Sequence, residues 1–127
     1  MNSSITVTLM TDASGNAEVV TEPTPFEAVR LSSIHYVKPE ADGFADGVDV
    51  SVSNADTGEV LWAEQNVNAS IVRRPRAPVH TTNGTPALYA EGGSPVLDRI
   101  TLARDRVKVT VSNGGNAKVG TFIIVFE

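Results

Sequence analysis

Short runs in which apolar and polar residues alternate dominate this chain, and they are broken at intervals of roughly 8 to 15 residues by glycine, asparagine and proline, the rhythm of an all-β domain. Near the C-terminus Val107, Val109 and Val111 alternate with Arg106, Lys108 and Thr110, as in a strand with one buried and one wet face. Ser112-Asn113-Gly114-Gly115-Asn116 offers residues that accept positive φ. Gly120 to Phe126 then predicts a strand with Phe122, Ile124 and Phe126 on one face and Ile123 and Val125 on the other. Both faces being apolar, this strand is expected to be covered on both sides, and the two strands together read as a closing hairpin. Ile5 to Met10, the turn Asp12 to Asn16 and Ala17 to Thr21 read as a matching hairpin at the start.

Between these ends, Glu27 to Lys38 predicts a long strand with Val29, Leu31 and Val37 on one side and Ile34 and Tyr36 on the other, ended by Pro39. Glu40 to Gly47 reads as a small acidic loop. Val48, Val50 and Val52 form a half-buried strand, which Asn54-Ala55-Asp56-Thr57-Gly58 turns into Glu59 to Ala63, and Asn68 to Val72 gives a further short strand. From Arg73 to Pro95 no helix or strand period fits, because Pro75, Pro78, Pro86, Pro95, Gly84, Gly92 and Gly93 interrupt it. Loops of that length in compact domains tend to be functional or disordered. Order resumes at Leu97 to Leu102, and Pro95 to Arg106, the best helical candidate, offers little more than a turn. The expected fold is all-β: a single domain over residues 1–127, an antiparallel β-sandwich in jelly-roll form, with about eight or nine short strands and one long irregular loop at 73–95.

Composition narrows the function. A chain of 127 residues suits one domain with one core. Ten Lys and Arg against fifteen Asp and Glu give a net charge of −5, which argues against nucleic acid as partner. There is no cysteine, hence no disulfide framework or thiolate metal site. Met1 to Ile5 lacks the basic and apolar regions of a signal peptide, and no apolar run reaches the length of a membrane span. A protein used without export and without a membrane partner is the expectation.

Candidate chemistry is sparse. His35 and His80 lie apart, without partners at metal-ligand spacing, and His35 reads as a satisfied or exposed strand histidine. Asp42, Asp46 and Asp49 lack the spacing and the closing Glu of a calcium loop and read as a solvated acidic segment. Trp62 reads as a core residue rather than a sugar platform. No nucleophile elbow occurs, so neither an enzyme nor any cofactor or metal is expected. Asn68-Ala69-Ser70 and Asn83-Gly84-Thr85 match the glycosylation sequon, expected to be chance without a secretory signal. Arg73, Arg74 and Arg76 concentrate positive charge within the long loop, which suits docking on an acidic partner surface, since arginine forks onto carboxylates and is favoured at interface hot spots.

The stretch Asp105-Arg106-Val107-Lys108-Val109-Thr110-Val111-Ser112-Asn113-Gly114-Gly115, continued by Gly120-Thr121-Phe122-Ile123-Ile124-Val125, resembles the C-terminal hairpin of small structural proteins of tailed bacteriophages. Ile5 to Asn16 and Val29 to Val37 are similar to the same group. In size and layout the chain looks like the capsid decoration, or cement, proteins with jelly-roll folds. The resemblance implies a virion structural protein on the capsid exterior, assembled in the bacterial host cytoplasm, that bridges major capsid protein subunits and stabilises the shell. It carries over no catalytic residue. Arg73, Arg74, Arg76 and Tyr89 are the expected capsid contacts, and the chain is expected to associate with itself as a homodimer or homotrimer. Two other readings stay open: a tail or head-fibre protein, and a carbohydrate-binding module.

Overall fold

In the computed structural model, residues 3–127 are described; Met1 and Asn2, part of the segment read as lacking a signal peptide, lie outside the described residues. Eleven strands and no helix form the described chain: β1 (Ser3–Met10), β2 (Ala17–Val20), β3 (Val29–Val37), β4 (Val48–Asn54), β5 (Val60–Val67), β6 (Ile71–Arg73), β7 (Ala77–Pro78), β8 (Leu97–Asp98), β9 (Thr101–Leu102), β10 (Val107–Ser112) and β11 (Val119–Phe126). The architecture is all-β and antiparallel. One sheet has the order β1-β11-β3-β6, with β9 also on β3; the second has the order β2-β10-β4-β5; β7 and β8 form a separate pair.

The inner faces come from the alternation. Val48, Val50 and Val52 of β4 and Val107, Val109 and Val111 of β10 are buried, with Asp49, Ser51, Lys108 and Thr110 between them turned outward. From the facing sheet come Leu31, Ile34, Tyr36, Phe122, Ile124 and Phe126. Trp62 on β5 reaches across to Phe122 with ring centroids 6.5 Å apart, which joins the two sheets through one aromatic contact. Each such side chain, fully buried, contributes about 1.5–3 kcal/mol. This is the packing of a β-sandwich.

Both terminal hairpins are corrected by the topology. β10 pairs with β2 and β4 while β11 pairs with β1 and β3, so the turn after Ser112 carries the chain from one sheet to the other. The same holds for β1 and β2. The two crossing turns bind each other: Gly114 N–H donates to Gly15 C=O at 2.9 Å, and the Thr11 hydroxyl donates to Gly115 C=O at 2.6 Å and accepts from Lys118 N–H at 2.9 Å. Only β4 and β5 form the hairpin their turn predicts. There the Asn54 Oδ1 accepts from the N–H groups of Asp56 and Thr57 at 2.9 and 3.1 Å, an Asx turn.

Two faces also depart from expectation. The register of β3 on β11 slips between Val125 and Phe126, leaving Ser32 as an extra residue. This bulge puts Val29 and Leu31 on the same inner face as Ile34 and Tyr36, while Val37 is exposed. On β11, Ile123 and Val125 are only half-buried, so the strand is sealed on one face. The acidic loop before β4 hides a core residue: Phe44 is fully buried and stacks on Tyr36 at 5.9 Å.

Candidate functional site

The segment 73–95, expected to be irregular, lies almost wholly within an ordered arm that runs from 74 to 98. Its three extended segments, at 77–81, 85–89 and 94–98, hydrogen-bond side by side. Ala77 and Pro78 pair with Asp98 and Leu97. Further out, Val79 N–H donates to Val96 C=O at 2.9 Å, Ala87 N–H to Val79 C=O at 3.0 Å, and Val96 N–H to Ala87 C=O at 2.9 Å. Two turns reverse the chain, closed by Thr81 N–H to Thr85 C=O and Tyr89 N–H to Ser94 C=O. Gly84 and Gly92, at φ of 88° and 70°, supply conformations at these turns that other residues adopt at a cost.

The arm's root is held, since Ala77 packs on the core, Ile100 is buried beyond its return and Ile100 C=O accepts from Leu31 N–H. Beyond the root, no side chain from His80 to Pro95 is buried. Leu88, Tyr89 and Leu97 are 42, 74 and 51% exposed. Paired backbone thus holds these apolar side chains away from any core of their own.

The predicted contact residues divide. Arg73 is committed within the chain: its Nε and Nη2 fork onto the two carboxylate oxygens of Glu64 at 2.8 and 2.9 Å. Trp62 Nε1 also donates to Glu64 at 3.1 Å. Because β5 and β6 lie in different sheets, this pair clasps one open side of the sandwich. The Arg73 guanidinium, and secondarily the Trp62 indole, hold the Glu64 carboxyl below the usual carboxylate range even though burial opposes this, and the same pairing raises Arg73. Arg76 donates to Ser32 C=O at 3.2 Å and to Pro75 C=O at 2.8 Å. Arg74 and Tyr89 are exposed, Tyr89 at the second turn of the arm. Sequence reading missed Leu88, whose signal was present as a large apolar residue inside a segment of broken period, and read Leu97 as the start of the ordered stretch 97–102.

The other candidates do not converge. His35 Nε2 lies 3.2 Å from the Ser33 hydroxyl, and His80 is exposed on the arm. Asp46 accepts from Lys38 Nζ at 3.0 Å, Asp42 lies 3.9 Å from Lys118 Nζ, and Asp49 accepts from Asn66 N–H and Asn113 Nδ2. Among the described residues no group of His, Asp and Glu could hold a metal ion. Trp62 is 8% exposed, which removes it as a sugar platform. A depression of about 680 Å³ on the outer face of the second sheet is open and lined by Asp49, Ser51, Gln65, Thr110 and Ser112 among others, with no aromatic side chain.

No family model matches the chain, and no curated protein matches it. Among solved structures, the crystal structure of FlhE is similar over 99% of this chain and 97% of its own, with a TM-score of 0.46 and 7% sequence identity. A likeness of that size assigns neither family nor function.

Proposed function

We propose that this protein is a non-enzymatic structural module that attaches to a larger assembly through the 74–98 arm, and that the assembly is the capsid shell of a tailed bacteriophage. The observation that carries the attachment is the arm itself, with Leu88, Tyr89 and Leu97 exposed on hydrogen-bonded backbone. Free in solution these side chains gain nothing from the order imposed on them. Seated in a groove they exclude water at little further entropic cost, because the backbone is already extended and paired.

The strand order supports the virion reading. With β9, which lies off the path on β3, left aside and the other eight strands of the two large sheets counted in chain order, one sheet runs 1-8-3-6 and the other 2-7-4-5; we read that order as a jelly roll, a fold used by viral capsid proteins and by lectins. Between those two, the burial of Trp62 and the lack of an aromatic side chain around the outer depression favour the virion. Bound to the shell, the protein would bridge major capsid protein subunits and stabilise by mass action the shell state it prefers.

Co-sedimentation with phage capsids stripped of their decoration tests both parts. The expected result is saturable binding at a fixed copy number per capsomer, weakened about tenfold or more by Leu88→Asp with Tyr89→Ala, while the unfolding midpoint of the free protein stays unchanged. Full occupancy by the arm variant would remove the arm as the contact. No binding by the folded wild-type chain would remove the capsid as the assembly.

A further inference from the structure

The two sheets have four edges, and three of them are blunted in ways that prevent strand addition. β2 is four residues long, carries Glu18 paired with Lys108 at 3.3 Å, and is followed by Pro23. β5 is long but its register on β4 slips twice, and it carries the Glu64 that Arg73 clasps. β6 has three residues, ends at Arg73 and runs into Pro75. Short length, charge, proline and bulges are the usual defences of a sheet edge.

β1 has none of them. Its eight residues, Ser3-Ser4-Ile5-Thr6-Val7-Thr8-Leu9-Met10, include no charged residue and no proline. The pairing with β11 runs unbroken from Ser3 opposite Phe126 to Met10 opposite Val119, so no bulge twists the edge away. Every second residue turns its N–H and C=O away from β11. Ile5 and Val7 point toward the core yet stay half-buried, and they leave an apolar seam along this edge.

We propose that β1 is the interface at which a second copy of this chain adds, antiparallel across a two-fold axis, to make one continuous sheet. The charge distribution selects a second copy as the occupant. In a chain of net charge −5, an edge without charged residues lets two copies meet with no like charges set against each other, and β1 is uncharged for its full length. An axis through Thr6 or Val7 keeps Ile5, Val7 and Leu9 of both copies on the inner face, whereas a one-residue slip would turn them to water. Across such an axis threonines of the outer face meet one another, a favourable cross-strand pair. Full pairing adds roughly eight backbone hydrogen bonds and covers the seam left by Ile5 and Val7.

Sedimentation equilibrium tests this on the intact chain. The interface is small, so a dissociation constant in the range of about 1–100 µM is expected, read as a concentration-dependent shift from monomer to dimer. Thr6→Lys with Thr8→Lys, both exposed positions, should sediment as monomer throughout, and mixing with Thr6→Glu/Thr8→Glu should restore a dimer made of one copy of each. Hydrogen exchange of the wild-type protein supplies a reading that needs no variant: protection of β1 amides should rise with concentration while that of β2, β5 and β6 stays constant. A wild-type chain that remains monomeric across that range, a dimer that survives both lysines, or β1 amides indifferent to concentration would overturn the proposal.

Discussion

Gly120 sits on β11 opposite Leu9 and is buried, and its missing side chain is what lets Phe44 into the core. A Cβ built at Gly120 would lie 2.7 Å from Phe44 Cδ2 and 2.8 Å from Phe44 Cζ, where carbon atoms in contact normally stand about 3.5–4.0 Å apart. The ring would therefore have to retreat by about 1 Å. It cannot do so freely, because Tyr36 stacks on it at 5.9 Å and Phe122 stands 6.5 Å away. Overpacking of this kind costs about 1–3 kcal/mol, and loss of the buried ring altogether would approach the roughly 3–5 kcal/mol of removing a core phenylalanine. Where nothing crowds the new methyl, Gly→Ala stabilises by about 0.4–1 kcal/mol through the unfolded chain, so crowding reverses the expected sign. Gly120→Ala should destabilise by about 2–4 kcal/mol in urea unfolding. In combination with Phe44→Leu, which shortens the crowded ring, the loss should fall short of the sum of the single losses by about 1 kcal/mol or more. A Gly120→Ala protein as stable as wild type, or strict additivity with Phe44→Leu, would refute the idea that the small acidic loop is anchored by a ring packed over this glycine.

Two further changes read the same core and its clasp. The Tyr36 hydroxyl is buried without a hydrogen-bond partner, so Tyr36→Phe should stabilise by about 1 kcal/mol at neutral pH. Burial, and then the nearby Asp46 carboxylate, push the phenol up to about 12 from its ordinary 10. The stability this protonated phenol contributes is complete below pH 10 and is lost as pH rises through 12. Wild type should therefore lose roughly 2 kcal/mol over that interval relative to Tyr36→Phe, measured by urea unfolding at each pH; parallel pH profiles would refute it. Glu64→Gln tests the clasp: with its folded value held below the ordinary 4.5 by Arg73, Glu64 contributes stability above pH 4.5 that disappears as pH falls through the folded value. The half-exposed pair limits this to about 1 kcal/mol, and the thermal unfolding profile of Glu64→Gln should be flatter below pH 4.5 than that of wild type.

The strands with regular alternation were legible because period-2 burial is a local property. Val48, Val50 and Val52, like Val107, Val109 and Val111, point inward as their spacing predicts. Pairing was not legible in the same way. Glycine and asparagine at 113–116 announce that the chain reverses, but a hairpin and a crossing between facing sheets use the same turn chemistry, so both terminal pairs of strands were assigned to the wrong partners. On β3 the extra residue at Ser32 moves the alternation by one, and no single sequence marks a bulge without glycine. Phe44 was hidden for the opposite reason: it stands alone among small acidic residues, with no period to betray its burial. At the candidate site, the cluster of arginines was visible, yet what divides Arg73 from Arg74 is Glu64, nine residues earlier and on the other sheet. Chain distance carries no trace of that meeting.

The layout of the first sheet joins the two proposals. In the order β1-β11-β3-β6, β1 is one edge, and the arm leaves from β6 at the other. A second copy added on β1 therefore cannot cover the arm of either copy. It joins the β1-β11-β3-β6 paths of the two chains edge to edge, so that the two β6 strands, separated by seven steps of about 4.8 Å, stand roughly 34 Å apart. Each arm springs from one end of that sheet, related by the two-fold axis to its counterpart. Two weak contacts held at a fixed spacing bind with a strength set by their effective concentration rather than by either contact alone. The uncharged edge at β1 would then raise the occupancy achieved by the arms. Breaking it with Thr6→Lys and Thr8→Lys would leave each arm unchanged while removing its partner.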